Sequence, residues 1–215
     1  MNTATTTSTG YERLGTLLTR LTGDEKHGGS SFSTLDVLWV LYDRVLADGD
    51  RFFLSKGHGP AAYYAVLAGK GLLPAEALDD FGGFDSPLGY HPDRTLVPGV
   101  EISSGSLGHG LGIATGAALG GRRVFCLVGD GELDEGSNWE AVQYAARVGL
   151  GRLTVIVVDN HSSTHGWPGG IERRFALEGW ETARVDGRDH DALEAALRPD
   201  PQPIRPRCVV ADVSR

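Results

Sequence analysis

The stretch RRVFCLVGDGELDEGSNWEAVQYAARVGLGRLTVIVVDN, residues 122–160, decides the fold. Val124-Phe125-Cys126-Leu127-Val128 is a short apolar run of branched and aromatic residues, the pattern of a buried strand. Gly129-Asp130-Gly131 ends it. An acidic turn, Trp139-Glu140-Ala141 and a helix-period segment to Val148 follow. A second buried strand, 153–158, ends on Asp159-Asn160. Strand, crossover helix and strand form a βαβ unit with parallel strands. Asp130 and Asn160 then leave the carboxyl end of the sheet, where open α/β sheets bind ligands.

Working outward, upstream residues 11–22 set Leu14, Leu17, Leu18 and Leu21 on one helix face. A polar loop over 24–31 leads to a helix over 35–46 that Ser33 or Thr34 can cap. Residues 51–55 are extended, and Pro60 opens the next helix from its first turn. A short helix is expected over 74–81. Residues 82–106 form a long irregular segment, and segments this long within a compact domain are usually functional or disordered. The helix over 107–119 carries four glycines, each costing about 1 kcal/mol relative to alanine, so each calls for a packing or ligand-approach reason. Downstream lie a loop over 161–170, a helix over 172–178, strand 181–185, helix 189–197 and strand 208–212. The expected architecture is a three-layer α/β/α domain with a mainly parallel sheet over residues 11–215, preceded by a disordered tail over 1–10.

With 215 residues, 40% of them hydrophobic, the chain can bury one large α/β core. The formal charge of -8 and a pI near 5.3 argue against nucleic acid or an anionic membrane as partner. Cys126 and Cys208, each inside an apolar run, read as core thiols in a reducing compartment, and the expected location is the cytoplasm. No apolar run approaches the ~20 residues that span a bilayer, and the Thr-rich start lacks the basic and apolar regions of a signal peptide.

An aspartate flanked by glycines after a strand suits a hard cation bound through oxygen, such as Mg²⁺ shared with substrate phosphates. Asn160 can add a carbonyl oxygen, and the glycines let the main chain approach a diphosphate. Asp134 or Ser137 can cap the helix that follows, whose N-terminus then faces the same ligand. Taken alone, the tripeptide reads first as a tight turn. His27, His58, His91 and His109 alter that balance. Each could be a solvated or capping residue, but all four sit in glycine- or proline-rich contexts beside the Asp130–Asn160 pair, as a polar active-site lining would. Their spacing does not match common zinc motifs, and no cysteine lies near them.

These residues carry a resemblance. Gly129-Asp130-Gly131 with Asn160 resembles the thiamine diphosphate fingerprint, and the wider pattern resembles the N-terminal, diphosphate-binding domain of transketolases. The matching stretches are His27-Gly28-Gly29-Ser30, Leu54-Ser55-Lys56-Gly57-His58-Gly59, Gly89-Tyr90-His91-Pro92, Ser104-Gly105-Ser106-Leu107-Gly108, Gly129 through Gly136 and Trp139-Glu140-Ala141. They stand in family order and cover about residues 11–197.

The resemblance implies that Asp130, Asn160 and the main-chain carbonyl of Ser162 hold Mg²⁺. It places Gly129, Asp130, Gly131, Glu132 and Asn160 at the cofactor, and Gly105, Ser106 and Leu107 against its aminopyrimidine. His27, His58 and His91 fall where family histidines handle substrate hydroxyl protons; His109 joins them as a catalytic candidate, where many relatives have glutamine. Glu135 matches an acidic residue at the contact between protomers. Residues 161–165 are an unusual version of the loop after the asparagine. The pyrimidine-binding and C-terminal domains of full-length transketolases lie beyond this chain, as does the glutamate that activates the aminopyrimidine.

The implied function is that of one subunit of a two-component, thiamine diphosphate- and Mg²⁺-dependent transketolase. It would transfer a two-carbon ketol unit from a ketose, expected to be a phosphate, to an aldehyde. Its partner would be a separate pyrimidine-domain chain. Self-association through the helix after Asp134, including Trp139, would make a homodimer core that recruits two partners into a heterotetramer. One alternative is two-carbon transfer to a carrier-bound or specialised-metabolite acceptor. Another is a non-catalytic scaffold role, against which Asp130, Asn160 and the histidines argue.

Overall fold

The structure, a computed structural model, describes residues 8–21 and 28–214. Five strands form one parallel sheet in the order β1-β2-β3-β5-β4. They are β1 (Arg51–Leu54), β2 (Val124–Gly129), β3 (Leu153–Asp159), β4 (Glu181–Asp186) and β5 (Arg207–Asp212). The helices are α1 (Ser8–Leu18), α2 (Gly28–Val40), α3 (Ala61–Gly69), α4 (His109–Leu119), α5 (Gly136–Arg147), α6 (Ile171–Leu177) and α7 (His190–Leu197). The expected three-layer arrangement is present.

Alternation along the strands sorts the core into two halves. Phe125, Leu127, Ile156, Val158 and Val209 face a cluster with α1, α2, α3 and α7. Val124, Cys126, Val128, Val155, Val157 and Val210 face the other layer, with Leu111 and Ala114 of α4, Val142 of α5 and Phe175 of α6. Both faces of β2 are covered, so all six of its residues are buried, which is why it reads as an unbroken apolar run. From β3 the chain passes through α6 to the edge strand β4, then returns through α7 on the opposite face to β5. Direction and face reverse together, as a constant crossover hand requires.

The irregular segment 82–106 is tied to α3, whose first eight residues are all buried. Tyr64 donates its hydroxyl to the Gly89 carbonyl at 3.0 Å, and Tyr63 donates to Gly99 at 3.1 Å. A helix that is apolar all round thereby finds partners for its two polar tips and fixes the segment carrying His91.

Several boundaries differ from expectation. Residues 8–10, assigned to the tail, lie in α1; residues 1–7 and His27 lie outside the described residues. The loop expected over 24–31 gives way at Gly28 to α2, with Ser33 and Thr34 inside the helix rather than capping it, and a π-helical turn, Leu41–Val45, follows. Thr34 donates its hydroxyl back to the Ser31 carbonyl at 2.8 Å, and Ser31 donates across to Gly59 at 2.6 Å. At the N-terminus of α5 neither Asp134 nor Ser137 caps: the cap position is Glu135, with no side-chain bond. Trp139 of α5 is half-buried against Trp167 and Phe175 and donates its indole N–H to the Leu133 carbonyl at 2.8 Å, which leaves part of the side chain on the surface.

Candidate cofactor site at the carboxyl end of the sheet

Asp130 follows the last residue of β2, and Asn160 follows the last residue of β3. The two strands are directly paired, Gly129 opposite Val158, and the Asp130 amide donates to the Val158 carbonyl at 3.1 Å. The pair sought in the sequence therefore leaves neighbouring strands at one edge. Asp130 is 1% exposed. Its carboxylate accepts from the Ser162 amide at 2.6 Å, the Ser162 hydroxyl at 2.7 Å and the Ser163 amide at 2.9 Å. Asn160 Oδ1 is buried with no hydrogen-bond partner. A buried carbonyl oxygen left unsatisfied costs about 1–3 kcal/mol unless a donor or cation meets it. A Cβ on Gly131 would lie 3.1 Å from the Ser162 hydroxyl oxygen, so glycine there permits the close approach of the two loops.

A second knot lies immediately behind this pair. Glu132 is 2% exposed and accepts from Ser55 Oγ at 2.5 Å, Gly108 N at 2.9 Å and Gly129 N at 3.3 Å. Burial pushes its carboxyl above the ordinary range, opposed by these bonds and by Lys56. Ser55 in turn accepts from the Gly110 amide at 3.1 Å. Lys56 is 3% exposed, and its side chain passes 3.1 Å from where a Cβ on Gly129 would stand. Three motifs distant in sequence thus meet at one carboxylate.

The same packing draws in the segment expected to meet the aminopyrimidine. A Cβ on Gly57 would fall 2.6 Å from the backbone nitrogen of Gly105. A Cβ on Gly105, at φ 144°, would fall 2.8 Å from the His91 ring. His91 and Gly105–Leu107 therefore lie beside the 55–58 segment that carries half-buried His58. His109 opens α4 with an exposed side chain; its amide, not its ring, joins the junction, donating to Ser106 at 3.4 Å. Of the four glycines in and before α4, Gly110 packs on Ser55, and Gly108, at φ 85°, packs on Ser137 and Glu135. Gly112 and Gly116 meet nothing within 4 Å among the described residues, which therefore supply no packing reason for them.

Next to Asp130 an open groove of about 500 Å³ is lined by Asp159, His161, Trp167, Glu172 and Arg184. Arg184 binds Asp159 at 2.9 Å, Glu172 at 3.1 Å and Asp212 at 2.9 Å, closing this side with a charge network. The sequence points to no role for Ser55, Lys56 or Thr164 and to only a capping one for Asp134. Ser55 and Lys56 stand inside a motif whose glycines and histidine carry its signal, and a lone Asp or Thr in a turn carries no signal of its partner.

The fold and this site define a parallel α/β domain whose strand ends present an oxygen-donor set and close-approach glycines to an anionic cofactor. Residues 24–209 match the family model described as transketolase, thiamine diphosphate binding domain. The chain is 53% identical over 221 residues to a protein of Rhodococcoides fascians named "Ferredoxin fas2", covering 95% of this chain and 72% of that one. It is 33% identical over 210 residues to a protein of Actinobacillus succinogenes named as one of the subunits of an apulose-4-phosphate transketolase, covering 88% of this chain and 76% of the relative. Among solved structures, a transketolase from Leishmania mexicana superposes with a TM-score of 0.78 at 26% identity over 94% of this chain. This chain spans 36% of that protein's length. The chain belongs to the transketolase family, as its thiamine diphosphate-binding domain. Its two cysteines, both fully buried in strands, cannot supply the four thiolates of a common iron–sulfur cluster.

Proposed function

We propose that this chain is the diphosphate-binding subunit of a two-component transketolase that moves a two-carbon ketol unit from a ketose phosphate to an aldehyde. The observation that carries the reading is Asn160 Oδ1, buried without a partner on the strand paired with that of Asp130. The residues fit Mg²⁺: the donors are all oxygens, from Asp130, Asn160 and the Ser162 carbonyl, and the remaining positions are left to water and phosphate. Family membership, and the likeness to a relative named as one component of a multi-subunit transketolase, support a separate pyrimidine-domain partner.

Bound thiamine diphosphate supplies the electron sink for breaking and remaking a carbon–carbon bond beside a ketone. This chain's share is to seat and orient. Gly129 and Gly131 let main-chain amides approach the diphosphate. Glu132, held by Ser55 and Gly108, keeps those turns in place. Gly105, Ser106 and Leu107 would meet the aminopyrimidine. His58 and His91, with His27, would accept and return protons at substrate hydroxyls, with His109 a further candidate. The two buried thiols support a reducing, cytoplasmic setting, and we place two copies of the chain with two partners in a heterotetramer.

Mixing the chain with its pyrimidine-domain partner, a ketose phosphate and an aldehyde acceptor should give Mg²⁺-dependent ketol transfer that neither chain performs alone. Transfer without this chain would reject the reading.

A further inference from the structure

Asp134 is the second aspartate of the turn, four residues past Asp130, and does not cap α5. It is turned instead to the segment after β3. Its Oδ1 accepts from the Ser163 hydroxyl at 2.7 Å. Its Oδ2 accepts from the Thr164 amide and the Thr164 hydroxyl, both at 2.8 Å. His165 Nδ1 stands 3.5 Å from Oδ1. The same segment, one residue earlier, is held by Asp130 through the amides of Ser162 and Ser163 and the hydroxyl of Ser162. Two carboxylates on one turn thus grip three consecutive residues, and Asp134's grip falls on atoms that Asp130 does not use.

We propose that Asp134 is a positioning residue for the metal–diphosphate site, fastening residues 163–164 so that Ser162 is presented to Asp130; this rests on the reading of Asp130, Asn160 and Ser162 as the metal donors. The physical need is plain. Residues 161–166 run without regular structure and are mostly exposed, and His161 sits at φ 58°, so the segment has few backbone partners of its own. A cation at Asp130 competes with the Ser162 hydrogen bonds there. Without a second anchor, the segment would leave when those bonds are given up. Asp134 lets Asp130 exchange its Ser162 donors for a cation while the Ser162 carbonyl stays in reach.

Two measurements on the full chain test this. In the first, amide hydrogen exchange is followed without ligand in wild type, Asp134→Ala and Asp134→Asn. Faster exchange at Ser162 and Ser163, whose amides bind Asp130 and not Asp134, is expected in the alanine variant, by tenfold or more. Loss confined to the Thr164 amide would overturn the coupling. In the second, thiamine diphosphate is titrated in the presence of Mg²⁺, with the pyrimidine-domain chain added. Asp134→Ala should raise the apparent Kd at least tenfold while kcat at saturating cofactor stays within twofold, and Asp134→Asn should recover part of the affinity through its one remaining acceptor. A variant that binds like wild type would overturn the proposal. Wild-type chain that binds no thiamine diphosphate would instead reject the underlying site, and the exchange result would stand apart from it.

Discussion

The Ser162 amide and hydroxyl both donate to the Asp130 carboxylate, at 2.6 and 2.7 Å, so in the free chain the acid expected to hold a cation is occupied by the segment that would share it. A cation at Asp130 would share the carboxylate with these donors or take their place. Asp130→Ala removes the acceptor of three hydrogen bonds at a 1%-exposed position and should cost about 2–3 kcal/mol of stability, as well as Mg²⁺-dependent binding of thiamine diphosphate. Thermal melting measures the first and calorimetry the second. Undiminished Mg²⁺-dependent binding would reject the metal assignment.

Asn160 behaves oppositely. Its Oδ1 gives up nothing on truncation because it has no partner to lose. Asn160→Ala should leave the melting temperature of the free chain within a few degrees of wild type, yet weaken Mg²⁺–thiamine diphosphate binding by tenfold or more. A large loss of stability with unchanged affinity would show the residue to be structural.

Glu132 should be the most costly single substitution in the site. Glu132→Ala strands Ser55 Oγ, Gly108 N and Gly129 N at once and removes the charge beside buried Lys56. Breaking a buried charged network in this way costs about 3–5 kcal/mol. Chemical denaturation would measure it; a loss below about 1 kcal/mol would mean that the junction relaxes.

The role of Asp134 has a pH signature. Burial alone would raise its carboxyl, but the bonds from Ser163 and Thr164 outweigh that and hold it at about 2. A folded-state value below the ordinary ~3.9 contributes stability that is fully present above ~3.9 and is lost as pH falls toward about 2. The melting-temperature difference between wild type and Asp134→Asn should therefore shrink as pH falls below about 4. A difference that still grows below about pH 4 would contradict the assignment.

Gly105 ties the two halves of the site by shape. At φ 144°, with the His91 ring where a Cβ would be, Gly105→Ala should cost about 1–3 kcal/mol and displace His91. Melting and the His91 ring resonances would report both; unchanged values would show that the ring has room to move.

What the sequence discloses follows period and breaker. Val124–Val128 and 153–158 are legible because a strand covered on both faces must be apolar throughout, and Asp130 and Asn160 are legible because they end such runs. The start of α2 is not: Gly28-Gly29-Ser30-Ser31 reads as a loop until Ser31 is seen to spend its hydroxyl on Gly59, which only the tertiary fold supplies. Asp134 was readable as a cap because it precedes a helix. Its actual partners, Ser163 and Thr164, lie about 30 positions away on the next loop, and no local pattern encodes that distance. For Gly112 and Gly116 the described residues supply no packing reason.

The central claim is that this chain holds the metal–diphosphate end of thiamine diphosphate and that a second chain completes the site. Calorimetric titration of thiamine diphosphate into the chain, with and without Mg²⁺ and with and without the pyrimidine-domain partner, tests it most directly. Binding heat that requires Mg²⁺, is lost in Asp130→Ala and is strengthened by the partner is the expected result; no binding in any of these states would contradict the account.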